Sequence, residues 1–133
     1  MTERKNISSA SPWEDVVGYS RAVRVGNIIE VAGTTASDGD SIIGKGDLYK
    51  QAVFIFQKIE KALQQAGSSM KDVVRTRMYV TDISGWEAAG KAHAEFFKDL
   101  KPAATMVEVS KLIHPDLLIE IEVTAILTEG STH

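Results

Sequence analysis

The chain has 133 residues, of which 44% are hydrophobic and 25% are charged, and its formal net charge at pH 7 is −3. This length suffices for one domain to bury a core without disulfides or a structural metal, so we predict a single domain over residues 1–133 with its core from about 16 to 128. No cysteine is present, which excludes disulfides, thiolate catalysis and cysteine-ligated zinc. Acidic and basic residues are interleaved, which argues against a nucleic-acid partner because that requires clustered lysines and arginines.

No apolar run approaches the roughly 20 residues that cross a bilayer, so we predict no membrane association. The first fifteen residues contain no apolar stretch of the kind that a signal peptide carries. We therefore predict a cytoplasmic protein.

The first predicted elements are two β-prone runs, Arg21–Val25 and Asn27–Ala32, joined by a turn at Gly26-Asn27. A loop rich in glycine, serine, threonine and aspartate extends from residue 33 to residue 46. Apolar residues then recur at helical spacing from Leu48 to Ala66. Asp47 is suited to cap the start of this helix and Gly67 to end it.

A strand is predicted at Val73–Thr81, and Ser84 to Glu87 has the capping-box pattern that opens a second helix. The predicted apolar stripe of that helix consists of Trp86, Ala89, His93, Phe97 and Leu100. We interpret His93 as a hydrogen-bonded core residue. Two further alternating strands follow, within residues 101–109 and 119–123.

Two amphipathic helices and a sheet predict a two-layer α+β domain with both helices on one face of the sheet. The face under the helices is predicted to carry Thr76, Met78, Val80, Val107, Val109, Ile119, Ile121 and Val123. The opposite, polar face is predicted to carry Arg75, Arg77, Tyr79, Met106, Glu108, Glu120, Glu122 and Thr124. One helix layer leaves this second face open, so it is either solvated or covered by another copy of the chain.

Several segments in chain order resemble the RidA/YjgF family. They are Gly18 to Val23, Asn27 to Gly33, Ala66 to Ser69, Asp72 to Val74, Tyr79 to Asp82, Glu95 to Phe97, Lys101 to Thr105 and Ile119 to Glu122. The resemblance extends from about Gly18 to Ala125. It implies a chorismate-mutase-like α+β fold with a mixed sheet, a homotrimer, and a small-molecule cleft at each subunit interface.

The same resemblance implies hydrolysis of reactive enamines and imines. It assigns Glu120 to orienting or activating water, Tyr19 to closing over the ligand, and Gly33 with Thr34 to the turn beside it. The family's arginine that binds a substrate carboxylate is replaced here by Ala104. We include Ala104 and the neighbouring Thr105 among the candidate substrate-binding residues.

Arg75 and Arg77, on the polar face, are the candidates to replace the missing arginine, and Arg21 and Arg24 near Tyr19 are further possibilities. The alternative is that these arginines pair with Glu108, Glu120 and Glu122 across an interface. His114 is interpreted as a surface histidine.

Three functions remain open from the sequence. The first is a hydrolase of imine- or enamine-type metabolites with a non-standard substrate, because Ala104 replaces the arginine. The second is a non-catalytic small-molecule-binding trimer. An endoribonuclease or translation inhibitor is ranked last, because the chain has no basic stripe with interleaved aromatic residues. The sequence contains no HExxH, no Walker loop and no GxGxxG after a strand, so we predict neither a metal nor an organic cofactor.

Overall fold

The computed structural model describes residues 3–128. The strands are β1 (Arg4–Ile7), β2 (Ala22–Val25), β3 (Ile28–Thr34), β4 (Ser37–Asp38), β5 (Ser41–Ile42), β6 (Val73–Val80), β7 (Ala103–Glu108) and β8 (Ile119–Ile126). The helices are α1 (Pro12–Val17), α2 (Leu48–Gln65) and α3 (Trp86–Phe97), with short 3-10 turns at Met70–Asp72 and Ile83–Gly85.

Six strands form one mixed sheet in the order β1-β2-β3-β8-β6-β7, and β4 with β5 forms a separate small hairpin. Only β6 and β7 are parallel among these strand pairs of residues 3–128. The helices α2 and α3 pack on each other, and α2 also packs against β3 and β8. The core between the two layers is aliphatic and aromatic; its largest members are Phe56, Phe97, Ile29, Ile55, Ile59, Leu63, Ile119 and Ile121. The predicted two-layer α+β fold is confirmed.

The helix α2 has the boundaries that the sequence predicts. The side chain of Asp47 accepts a hydrogen bond from the Lys50 backbone N–H at 3.0 Å, which satisfies one of the free donors of the first turn. Gly67 follows the helix with φ +83°, in the left-handed region where glycine is favoured. The buried Gln51 of this helix bonds the backbone at both Asp116 and Leu118, which fixes the chain where it enters β8.

Two elements precede the first predicted strand. The edge strand β1 pairs antiparallel with β2, and only Ile7 of its four residues is buried. Three exposed polar residues and one apolar residue give too weak an alternation to predict a strand. The helix α1 starts at Pro12, after Ser11 accepts from the Trp13 backbone N–H. The sheet therefore begins ahead of the core predicted from about residue 16.

The start of α3 differs from the predicted capping box. Asp82 caps the preceding 3-10 turn, where its carboxylate accepts from the backbone N–H of Ser84, and the N-cap residue of α3 is Gly85, which makes no side-chain hydrogen bond. Trp86 is 56% exposed, and Leu100 is exposed beyond the end of the helix, so neither belongs to the buried stripe. His93 matches its prediction, because its Nε2 lies 2.9 Å from Thr76 Oγ1 in a hydrogen bond beneath the helix.

The alternation of β7 is shifted by one residue from the prediction. Parallel pairing places Met106 opposite Met78 and Val107 opposite Tyr79, and directly paired residues of a sheet point to the same side. Met106 therefore packs against the core, whereas Val107 lies on the open face and is 42% exposed. Because Met106 and Val107 are adjacent and both apolar, the sequence does not show which of them faces the core. Only the pairing of β7 with β6 decides this. Glu108 likewise lies opposite Val80 and not on the open face.

No helix within residues 3–128 is both long and apolar enough to span a membrane.

Candidate functional site

The open face of the sheet brings acidic, basic and aromatic side chains together in register. Pairing of β6 with β8 places Tyr79 opposite Glu120 and Arg77 opposite Glu122. The Tyr79 hydroxyl donates to Glu122 Oε1 at 2.7 Å, and Arg77 Nε lies 3.9 Å from the same oxygen. Arg77 thus lies next to a glutamate of the neighbouring strand of its own chain, and pairing across an interface stays a prediction.

Glu120 differs from Glu122 in having no such partner. Its side chain is half-buried, and within residues 3–128 it accepts no hydrogen bond and forms no ion pair within 4 Å. Burial raises the pKa of the Glu120 carboxyl above its ordinary value, the charge of Glu122 raises it further, and the charge of Arg21 acts in the opposite direction. A carboxyl group that makes no hydrogen bond or ion pair in the described chain, and whose pKa is raised above its ordinary value, is suited to proton transfer.

Gly33 provides the space that the Glu120 carboxylate fills. The pairing of β3 with β8 shifts register between Val31 and Thr34, and Gly33 lies inside this irregularity. A Cβ atom added to Gly33 would lie 2.1 Å from Glu120 Oε2, which is far inside van der Waals contact. The absence of a side chain at Gly33 therefore lets the Glu120 carboxylate approach this backbone closely.

Arg21 lies on the other side of Gly33. Its Nη1 donates to the Gly33 carbonyl at 3.2 Å and to Thr34 Oγ1 at 3.0 Å. Its guanidinium carbon lies 5.6 Å from the centre of the Tyr19 ring, within the range of a cation–π contact. The sequence indicates Arg21 only as one of several cations near Tyr19.

Four of the candidate residues thus form one cluster: Tyr19, Gly33 and Thr34 contact Arg21, and Glu120 lies against Gly33. Tyr19 is partly exposed at its rim, whereas Thr34 is fully buried and donates its hydroxyl hydrogen to the Ala32 carbonyl at 2.8 Å. Thr34 consequently holds Arg21 in place and does not itself face solvent.

An open groove of about 810 Å³ adjoins this cluster between α1 and the open face of the sheet. Its lining is mostly polar and includes Arg4, Asn6, Glu14, Asp15, Tyr19, Glu30, Arg77 and Glu122. The groove shares Tyr19 with the Arg21 cluster, and Glu122 lies two residues from Glu120 on the same side of β8. A small molecule in the groove would therefore contact both the Arg77–Glu122 pair and the edge of the cluster.

The remaining candidates lie apart from Glu120 in the chain. Arg75 Nη2 donates to Thr105 Oγ1 at 2.6 Å, which joins β6 to β7 near the start of both strands. Ala104 is exposed on β7 and lies opposite Thr76, whose side chain is buried on the helix-covered face. An arginine at position 104 would thus extend from the face opposite to Glu120 in the same chain.

His114 lies in an exposed loop, where its Nδ1 accepts from the Asp116 backbone N–H at 3.0 Å. Across residues 3–128, no three histidine, aspartate or glutamate side chains are grouped so that they could hold a metal ion.

Comparison with known proteins assigns the chain to a family. The model of the family described as Endoribonuclease L-PSP matches residues 10–127. The chain belongs to this family, the RidA/YjgF family. A crystal structure of Rv2704 from Mycobacterium tuberculosis, described as a member of the YjgF/YER057c/UK114 family, is 48% identical, covers 94% of this chain and all of its own, and superposes with a TM-score of 0.86.

Two curated relatives carry names that refer to RutC. A RutC family protein of Pyrococcus abyssi is 39% identical over 108 residues, which are 80% of this chain and 84% of the relative. A protein of Acinetobacter baylyi named 3-aminoacrylate deaminase RutC is 33% identical over 104 residues, covering 77% of this chain and 82% of that protein. One relative of this chain is therefore named for the deamination of 3-aminoacrylate.

Proposed function

We propose that this protein is a RidA-like hydrolase that converts imines or enamines of small metabolites into carbonyl compounds and ammonia. The observation that carries the proposal is the Glu120 carboxyl, half-buried against Gly33 and without a partner among residues 3–128. The name of the Acinetobacter relative, which specifies deamination of an enamine, supports the same reaction class.

The chemistry is undemanding, because the carbon of an imine is already electrophilic. The Glu120 carboxylate takes a proton from water while the water oxygen bonds to the imine carbon and the C=N π electrons move to nitrogen. The protonated Glu120 then returns the proton to the nitrogen, which gives a carbinolamine. The Glu120 carboxylate takes the hydroxyl proton of the carbinolamine and passes it to the nitrogen, and ammonia leaves as the C=O bond forms. An enamine first accepts a proton on carbon and loses one from nitrogen to become the imine. A carboxyl with a raised pKa serves both directions of transfer.

The substrate is proposed to differ from that of family members with the usual arginine, because Ala104 offers no donor to a carboxylate. Arg75, Arg77 and Thr105 form a polar row on the open face of β6 and β7, where Arg77 and Thr105 are directly paired.

We further propose a homotrimer with the small-molecule site at each subunit interface. The argument is the open face, where Val107 is exposed beside Arg77 and Tyr79, so that a second copy of the chain would cover it. Light scattering on the eluting protein tests this: the expected mass is three times that of one chain. A cytoplasmic location stays the prediction, since the chain has no cysteine for the disulfides common in secreted domains.

A non-catalytic binding protein is the second candidate, and the observation that favours it is again Ala104. The endoribonuclease named in the family description ranks last, because the groove mixes acidic side chains such as Glu14, Asp15 and Glu30 with Arg4 and Arg77 and would repel a phosphate backbone.

The test is imine decay in vitro. A flavin amino-acid oxidase would generate imines from a panel of amino acids, and their trapping by semicarbazide would be followed with and without the protein. We expect faster decay with the wild type and loss of that effect in Glu120→Gln. Glu87→Gln, an exposed change in the first turn of α3, is the matched control. No acceleration over the panel by a folded protein would refute the hydrolase and leave the binding protein.

A further inference from the structure

The backbone from Gly33 to Ser37 is held by two cationic side chains that come from different elements. Arg21, just before β2, donates through Nη1 to the Gly33 carbonyl at 3.2 Å. Lys58, on α2, donates through Nζ to the carbonyls of Thr35 and Ser37 at 3.0 and 2.9 Å. We call this stretch of five residues, which joins the end of β3 to β4, the clamped turn. Because ionised donors make stronger hydrogen bonds than neutral ones, both ends of the clamped turn are firmly held.

Lys58 occupies an electrostatically unfavourable position. Its side chain is half-buried, and burial is the main cause that lowers the pKa of its ammonium group. The charge of Arg21 lowers this pKa further, and the charge of Asp38 acts in the opposite direction. Within residues 3–128, no carboxylate lies within 4 Å of either cation. A neutral side chain of similar size would avoid both the burial of a charge and the repulsion, and groups held in this way are concentrated at functional sites.

The clamped turn forms one wall of the space that the Glu120 carboxylate occupies. A Cβ atom added to Gly33 would overlap Glu120 Oε2, so the carboxylate rests against the backbone of the turn. Regular strand pairing does not hold this backbone, because the register of β3 with β8 shifts between Val31 and Thr34. The position of the carboxylate therefore depends on the two cations that hold the turn.

We propose that Lys58 is a positioning residue of the candidate site: together with Arg21 it holds the clamped turn, so that Glu120 stays enclosed against Gly33. Lys58 needs no contact with a substrate for this role. The enclosure of Glu120 depends on these contacts alone, whereas any effect of Lys58 on turnover rests on the hydrolase proposed above.

The test follows the side-chain carboxyl carbon of Glu120 by 13C NMR as the pH is varied, with Glu120→Gln to assign the signal. The charges that act on Glu120 within residues 3–128 are those of Glu122 and Arg21, and Tyr79 is paired opposite it. In Lys58→Met the turn should loosen, and the midpoint should fall towards the ordinary 4.5, because burial is the main cause that raises it. Loss of a positive charge acting directly on the carboxylate would instead raise the midpoint, so the direction separates positioning from charge.

Two further variants complete the comparison. Lys61→Met removes the same charge from an exposed position of α2 and should leave the Glu120 midpoint unchanged. Lys58→Arg keeps a cation with several donors for the two carbonyls and should retain the raised midpoint. For imine hydrolysis, Lys58→Met should lower kcat by about tenfold to 100-fold with little change in KM, because a misplaced reacting group slows the chemical step and not binding.

The outcomes separate this proposal from the hydrolase. An unchanged or raised Glu120 midpoint in folded Lys58→Met overturns the positioning role, and so does an equal fall in Lys61→Met. The same measurement on Lys58→Gln, with a polar side chain one atom shorter, replaces Lys58→Met if that variant does not fold. A lowered midpoint in a protein that hydrolyses no imine refutes the hydrolase alone. Hydrolysis by the wild type with kcat unchanged in Lys58→Met refutes the positioning role.

Discussion

The Glu120 carboxylate fills the space in which a side chain at Gly33 would begin, since a Cβ atom there would lie 2.1 Å from Oε2. The two residues come from adjacent strands, β3 and β8, at the point where their register shifts. The position of the proposed general base is therefore set by the absence of a side chain on its neighbour.

Gly33→Ala should reduce activity much more than stability. The added methyl group must displace the end of a flexible side chain, so the free energy of unfolding should change by no more than about 1 kcal/mol. Misplacement of a reacting group can lower kcat by about 10²-fold. Urea unfolding and imine-decay rates measure the two effects. Gly90→Ala, where a Cβ meets nothing within 4 Å inside α3, is the control and should stabilise by about 0.5–1 kcal/mol with activity retained. Equal losses of activity in both variants would contradict the prediction.

The pH dependence of kcat/KM should report Glu120. If its carboxylate is the base, activity rises with pH through a midpoint above the ordinary glutamate value of 4.5, because burial and the charge of Glu122 raise the pKa of this group. Glu122→Gln removes the repulsion and should move that midpoint to lower pH. The rise of kcat/KM with pH should be absent in Glu120→Gln. A rise that persists in Glu120→Gln would assign the titration to another group.

Folding stability should fall in mildly acidic solution because of His93. Burial lowers the pKa of this imidazole below its ordinary 6.5, so the unfolded chain takes up a proton more readily than the folded one. The contribution of neutral His93 to the free energy of unfolding is fully present above pH 6.5. It is lost as the pH falls through the pKa that His93 has in the folded protein. Urea midpoints of the wild type should therefore decrease between pH 7.5 and 5 more steeply than those of His93→Gln. Parallel curves for the two proteins would exclude this role.

Removing the cap of α2 should weaken the whole domain. Asp47→Ala leaves the Lys50 N–H without its side-chain acceptor and should cost about 1 kcal/mol of unfolding free energy. The measurement is chemical denaturation. Asp40→Ala, an exposed aspartate between β4 and β5, should change the midpoint by less than half as much. A similar loss in both would mean that charge, and not capping, is responsible.

Features that depend only on residues close together in the chain were predicted correctly from the sequence. The turn at Gly26-Asn27, the boundaries of α2 at Asp47 and Gly67, and the burial of His93 all depend on residues close in the chain or on a clear period. The capping box predicted at Ser84 does not form, because the Ser84 hydroxyl donates to Asp82 in the 3-10 turn that precedes α3.

Features that depend on pairing between distant strands could not be predicted from the sequence. Which residues of β7 face the core follows from Met78 lying opposite Met106, and nothing within the strand itself indicates this. The contact of Arg21 with Thr34 likewise needs the β2–β3 register and the bulge at Gly33. The sequence could place arginines near Tyr19, but it could not show which of them retains free donors.

The strand order also leaves the sheet with two edge strands, β1 and β7, which differ in their charge. The strand β1 carries Arg4 and Lys5, and charges of this kind discourage another chain from adding to a sheet edge. The strand β7, with the sequence Ala-Ala-Thr-Met-Val-Glu, has a single charge at its end and five exposed residues out of six. In the proposed homotrimer, a subunit separated from its neighbours would present β7 as an edge open to pairing with another chain, whereas its charges protect β1. We therefore expect dilution or disassembly to cause aggregation through β7.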